Sequence, residues 1–173
     1  ALALGTRMLE LARAQGAKIS FDPNLRPQLL PPAQAKTVFA PFAAAADVIM
    51  PTAEEALLLT GESTVAAAAG KLLVGKPDGV VIITHGEHGC TIYTPAGHTD
   101  VPGFAVAELD PTGAGDCFDA GFLAEWLHGR SPVEAARWAN ACGALAVTQR
   151  GPMAGAASTA QVQAFIQSAQ ERH

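Results

Sequence analysis

Apolar residues recur along this chain with two alternating periods. Over 6–15, Met8, Leu9, Leu11 and Ala12 share one face of a 3.6-residue repeat, which predicts an amphipathic helix that Gly16 ends. Residues 18–22 read as a strand, 33–46 as a helix of low polarity in which Pro41 predicts a break near Ala40, and 47–50 as a short buried strand. A helix starts after Pro51 and runs through Leu59 to a stop at Gly61, and an Ala-rich one covers 64–74. The run 79–84 is continuous and β-branched, the pattern of a strand buried on both faces. After a turn at 85–89, residues 90–93 and the stretch near 99–101 predict a hairpin.

The remainder reads as helical. Turn formers fill the segment before Gly115, and from there Phe118, Phe122, Leu123, Trp126 and Leu127 recur at helical spacing. A loop with Thr112 as cap therefore runs into a buried helix. Ser131, Pro132 and Glu134 combine an N-cap, a proline at the first helical position and a capping glutamate. In the helix over 135–148 that they start, small Ala139, Cys142, Gly143 and Ala146 allow another element to come close. A small-residue loop at 151–157 precedes a last amphipathic helix over 161–170. Together these elements predict a three-layer α/β/α domain with a mostly parallel sheet, and no repeat or low-complexity linker asks for a second domain.

Composition narrows the function. Apolar residues make up 49% of the 173 and charged ones 16%, which excludes disorder. A formal charge of −5 provides no basic field for nucleic acid or anionic lipid, so an anionic ligand must be held locally. Cys90, Cys117 and Cys142 are odd in number, lack metal-ligand spacing and sit among apolar residues, as buried thiols of a reducing cytosol do. No apolar run approaches the ~18 residues of a membrane span, and a secretion signal is not visible. The expected location is cytoplasmic.

The chemistry concentrates at Asp110-Pro111-Thr112-Gly113-Ala114-Gly115-Asp116. Amides in the first turn of a helix carry partial positive charge, and glycines at 113 and 115 let a bulky anion reach the backbone without meeting a Cβ. Asp116, one residue further, would repel a bound phosphate unless it takes up a proton or holds a metal-bound water during transfer. Its plainer role is to favour the helix start through the macrodipole.

The string from Asp110 to Asp116, followed by Cys117-Phe118, resembles the signature of the ribokinase (PfkB) family of carbohydrate kinases, which implies a ribokinase-like fold. The resemblance assigns Gly113, Ala114 and Gly115 to an anion hole for the transferring γ-phosphate of ATP and makes Asp116 the base that deprotonates the acceptor hydroxyl. It also implies Mg²⁺, and a site for a monovalent cation such as K⁺ at the backbone of Asp110 and Thr112 with the 151–157 loop. Because Asp116 would lie well past the middle of a full-length member, the resemblance reads residues 1–173 as the C-terminal portion, nucleotide-binding and catalytic. The N-terminal part and the β-lid, through which members often form homodimers, would be absent, and the fragment alone inactive.

Three other stretches join this reading. Asp22-Pro23-Asn24-Leu25-Arg26-Pro27 lies at the carboxyl end of a predicted strand, where open α/β sheets place ligands, and otherwise reads as a Pro-rich loop with an Asx turn. It resembles the loop of fructokinases and 2-keto-3-deoxygluconate kinases, which places Asn24 and Arg26 on the phosphate and acceptor side. Where the family has Asn-x-x-Glu ordering the water shell of Mg²⁺, this chain has Thr52 and Glu55, equally a capping box. Thr84-x-Gly86-x-x-Gly89 resembles the turn beside the nucleotide, and Asn140, which otherwise reads as satisfying a buried backbone group, falls in the segment that flanks the adenine. His85, Glu87 and His88 crowd that turn, but no further ligands converge on them to make a metal site.

The function expected is ATP-dependent phosphorylation of a small sugar or sugar acid, with 2-keto-3-deoxygluconate or a ketohexose ahead of ribose or nucleosides. A nucleotide-binding domain without catalysis is the alternative. A dinucleotide-binding domain fits less well, because the glycine turn lacks G-x-G-x-x-G and does not follow a first βαβ strand.

Overall fold

The computed structural model describes residues 2–170. Strands β1 (Ser20–Phe21), β2 (Val48–Ile49), β3 (Val80–Thr84), β4 (Gly89–Thr94) and β5 (Gly97–Pro102) lie in one sheet in sequence order. They are interleaved with or followed by helices α1 (Leu2–Ala14), α2 (Pro32–Ala45), α3 (Ala53–Thr60), α4 (Val65–Leu72), α5 (Ala114–Leu127), α6 (Pro132–Ala146) and α7 (Thr159–Gln170). The chain divides into two compact units. The first takes the chain up to Thr84 with Tyr93–His98, and the second His85–Ile92 with everything from Thr99.

In the first unit β1, β2 and β3 pair in parallel, Ser20 opposite Val48 and Val48 opposite Val80. Parallel strands need crossovers, and α2 and the α3–α4 pair occupy those positions in the chain. Val48, Ile49, Val81, Ile82 and Ile83 are fully buried, as the β-branched run predicts. Ala43, Ala46, Ala56, Ala68 and Ala69 pack with Ile49, Val81 and Ile83, their small side chains letting helices come close to the strands. Phe21 extends this core, edge-on to Phe39 at 5.6 Å and stacked on Phe42 at 6.0 Å.

One expectation fails here. The break near Ala40 does not occur: α2 continues through Pro41 to Ala45. Pro41 and Thr37 are both exposed, so the carbonyl that loses its donor is open to water, and the buried positions Ala35 and Ala43 hold both halves of the helix in place.

In the second unit α6 starts as its sequence specifies. Ser131 Oγ accepts from the Glu134 N–H at 3.3 Å, and Glu134 Oε2 accepts from the Ser131 N–H at 3.1 Å. Its small residues meet α5: a Cβ on Gly121 would lie 2.7 Å from Cys142 Sγ and 3.3 Å from the Cα of Ala139. Phe118 and Phe122 are buried in the same unit, and Val162 of α7 is 1% exposed. The three cysteines are unpaired thiols; burial pushes Cys90 up to about 12 and Cys142 up to about 11. Among the described residues no helix is long and apolar enough to cross a membrane.

Candidate active site

The 110–116 segment is fixed before α5 begins. The N–H groups of Leu109 and Asp110 both donate to the Val147 carbonyl, at 2.8 and 3.2 Å, which ties the segment to the end of α6. Asp110 Oδ1 accepts from the Thr112 N–H at 3.0 Å and Oδ2 from the Gly151 N–H at 2.8 Å. The Thr112 hydroxyl, then these two amides, hold the Asp110 carboxyl below the usual carboxylate range.

Thr112 is not the helix cap. Gly113 occupies that position in left-handed backbone, φ 84° and ψ 0°, and having no side chain it offers no side-chain cap. A Cβ on Gly113 would also come 2.2 Å from the Pro152 carbonyl oxygen. Close packing and backbone conformation therefore demand this glycine, where the sequence suggested approach of an anion. At Gly115 the expected opening is present, since an added Cβ would meet nothing within 4 Å.

The amides are not equivalent either. Ala114 N–H donates to the Pro111 carbonyl at 3.2 Å, so the three-residue anion hole loses its middle donor to a turn. None of the described residues accepts from the N–H of Gly113, Gly115 or Asp116. The Cys117 N–H closes the first helical bond, onto the Gly113 carbonyl at 3.0 Å. Asp116 is exposed, and its carboxylate stands at the positive end of a 14-residue helix. Unspent amides, an open Gly115 and an exposed acid together can receive an anion and a proton.

The turn after β3 belongs to the same unit from His85 onward. Gly86–His88 forms one 3₁₀ turn, closed by His85 N–H on the Gly89 carbonyl at 2.8 Å. Gly86 (φ 59°) faces open space, whereas a Cβ on Gly89 (φ 91°) would lie 2.2 Å from the Val101 carbonyl oxygen. Among the described residues no metal-binding group forms, and His88 lies 3.9 Å from Glu87 in full exposure.

Asn140 meets the backbone groups that its plainer reading foresaw. It is 7% exposed, and its Nδ2 donates to the carbonyls of Val101 and Pro102, each at 3.1 Å. Both amide protons are spent on the end of β5, so the side chain satisfies buried backbone carbonyls there.

The first unit carries Asn24, Arg26, Thr52, Glu55 and Thr84. Asn24 has φ 40° and donates its N–H to Asp22 Oδ1 at 2.9 Å, the Asx turn foreseen as the plainer reading. Arg26 is exposed. Glu55 completes the capping box: Oε2 accepts from the Thr52 N–H at 2.9 Å and the Thr52 hydroxyl at 3.0 Å, while the Thr52 hydroxyl accepts from the Glu55 N–H at 3.3 Å. Its Oε1 accepts from the Leu25 N–H at 2.6 Å, bringing the loop of Asn24 and Arg26 onto the start of α3. Thr84 ends β3 with its N–H on the Pro51 carbonyl and is bridged to Thr52.

A family model of pfkB family carbohydrate kinases matches residues 1–160. The chain belongs to this family. It is 33% identical to fructokinase-1 of Zea mays over 171 residues, 94% of this chain and 53% of the maize protein, so it spans about half the length of that curated relative. A fructokinase of Vibrio cholerae, solved with fructose, ADP and calcium ion, superposes with a TM-score of 0.84 at 31% identity, covering 93% of this chain and 54% of that one. An E. coli ribokinase II in complex with ATP and Mg²⁺ gives 0.84 at 37% identity, covering 95% and 52%. The fold is thus α/β and ribokinase-like, and the dinucleotide-binding reading is set aside.

Sequence reasoning missed Gly151 and Pro152 as braces of the 110–116 segment, and Thr91 and Asp100 as partners of His85. The signals for the first pair were the small-residue loop itself and the resemblance, which set that loop beside Asp110 and Thr112. Nothing in the spacing pointed to the second.

Proposed function

We propose that the protein transfers the γ-phosphate of ATP to a hydroxyl of a small sugar or sugar acid, a ketohexose or 2-keto-3-deoxygluconate ahead of ribose or nucleosides. The observation that carries this is the start of α5, where the Gly115 and Asp116 amides have no acceptor among the described residues and the Asp116 carboxylate is exposed beside them. Phosphoryl transfer asks for in-line placement and stabilisation of negative oxygens more than for covalent help. In this reading those amides, with that of Gly113, receive the equatorial oxygens of the migrating phosphoryl group. Asp116 accepts the proton of the acceptor hydroxyl as its oxygen bonds to phosphorus and the bond to ADP breaks.

Mg²⁺, when bound with ATP, supplies the charge that neutralises the phosphate oxygens. Three donors occupy the Glu55 carboxylate, which leaves acceptor capacity for one water of the metal's shell. Thr84, Gly86 and Gly89 are assigned to the nucleotide side, Asn24 and Arg26 to the acceptor side, where the Arg26 guanidinium suits a phosphate or a sugar carboxylate. The backbone of Asp110 and Thr112, braced against Gly151, is assigned to a monovalent cation such as K⁺. The relatives support the substrate class: the Vibrio cholerae structure holds fructose and ADP, and the maize relative is named a fructokinase.

The test is ADP release from the protein at its full natural length, with a panel of fructose, 2-keto-3-deoxygluconate, ribose and adenosine. Turnover with the first two is expected; preference for ribose or adenosine rejects the acceptor assignment, and no turnover with any of them rejects the kinase reading.

A further inference from the structure

A hydrogen-bonded relay runs from the turn after β3 to β4 and β5. His85 Nε2 lies 2.8 Å from Thr91 Oγ1, and Thr91 Oγ1 donates to Asp100 Oδ1 at 2.7 Å. The direction of the whole chain follows from one end. A carboxylate only accepts, so the Thr91 proton is committed to Asp100, and the remaining lone pairs of that hydroxyl must accept from His85. The imidazole is therefore held with its proton on Nε2. In the neutral ring Nδ1 is then the acceptor, with no partner among the described residues.

The same residue sets the turn. His85 donates its N–H to the Gly89 carbonyl at 2.8 Å and accepts from the His88 N–H at 3.3 Å. Its side chain thus joins the turn to β4 through Thr91, which is 7% exposed, and to β5 through Asp100. A buried hydroxyl with donor and acceptor both satisfied gives a single stable arrangement, whereas one broken link would leave a polar atom unpaired.

We propose that His85 is a positioning residue for the nucleotide: locked by Thr91 and Asp100, it fixes the turn from Gly86 to Gly89 and presents Nδ1 as acceptor to a hydroxyl or amino group of the bound nucleoside triphosphate. This rests on the assignment of that turn to the nucleotide side. His85→Ala and Thr91→Val, the second nearly isosteric, separate the relay from gross folding.

The experiment uses the full-length protein. Nitrogen-15 NMR reads the imidazole tautomer, and steady-state kinetics read KM for ATP, kcat and KM for sugar. The expected result is an Nε2–H tautomer in the wild type whose Nδ1 resonance moves on addition of ATP. Either substitution should raise KM for ATP by ~3–10-fold, the value of one hydrogen bond, with kcat and the sugar KM unchanged. An Nδ1–H tautomer, or variants whose KM for ATP equals that of the wild type, overturns the proposal while the kinase reading stands. A wild type that binds no ATP overturns both.

Discussion

Asp110 holds Gly151: one carboxylate oxygen accepts the glycine's N–H at 2.8 Å across 41 residues of chain, while the other accepts from Thr112 two residues away. The acid that opens the signature is thereby a brace between the start of α5 and the loop after α6, where it can set the position of the amides that follow it. Its carboxyl is held below the usual range by the Thr112 hydroxyl and then by the amides of Thr112 and Gly151. A folded value below the unfolded one adds stability that is present above the unfolded pKa of about 4 and lost as pH falls through the folded value. Denaturant titrations of the wild type and Asp110→Ala should therefore differ at pH 6, and the difference should shrink below pH 4. A difference that grows on acidification contradicts the brace.

Gly113 and Gly115 should respond in opposite ways to the same substitution. Gly113→Ala places a Cβ in left-handed backbone and against the Pro152 carbonyl, at a cost of about 1–2 kcal/mol for the conformation alone. The melting temperature should fall by about 2–8 °C. Gly115→Ala meets no protein atom and adds helix propensity, so it should fold at least as well as the wild type while losing turnover, because its methyl enters the open space beside the amides. Calorimetry and ADP release on both variants check this. Equal loss of stability in the two would show that the opening at Gly115 is not real.

Glu55 serves two elements at once, capping α3 through Thr52 and holding Leu25. Glu55→Ala should cost about 1 kcal/mol, as loss of a cap does, and hydrogen exchange at the Leu25 amide should quicken by ~10-fold. Unchanged exchange at Leu25 would mean that the loop of Asn24 and Arg26 holds its shape without the carboxylate.

What the sequence disclosed and what it hid separate along one physical line. The capping boxes at Thr52 and Ser131, the buried run ending at Thr84 and the helix beyond Gly115 were legible because each depends on residues a few positions apart. The roles of Gly113 and His85 were not. Gly113 is a glycine because of Pro152, and His85 is oriented by a hydroxyl on β4 and a carboxylate on β5. Pro41 shows the converse: its local preference was read correctly and overridden by packing on either side of it.

Asp116 carries the central claim. In the protein at its full natural length, Asp116→Asn keeps the size of the side chain and the helix start and removes the capacity to take a proton. Turnover should fall by ~10²-fold or more while the Kd for ATP stays at the wild-type value. Turnover equal to the wild type would contradict the assignment of this carboxylate as the base.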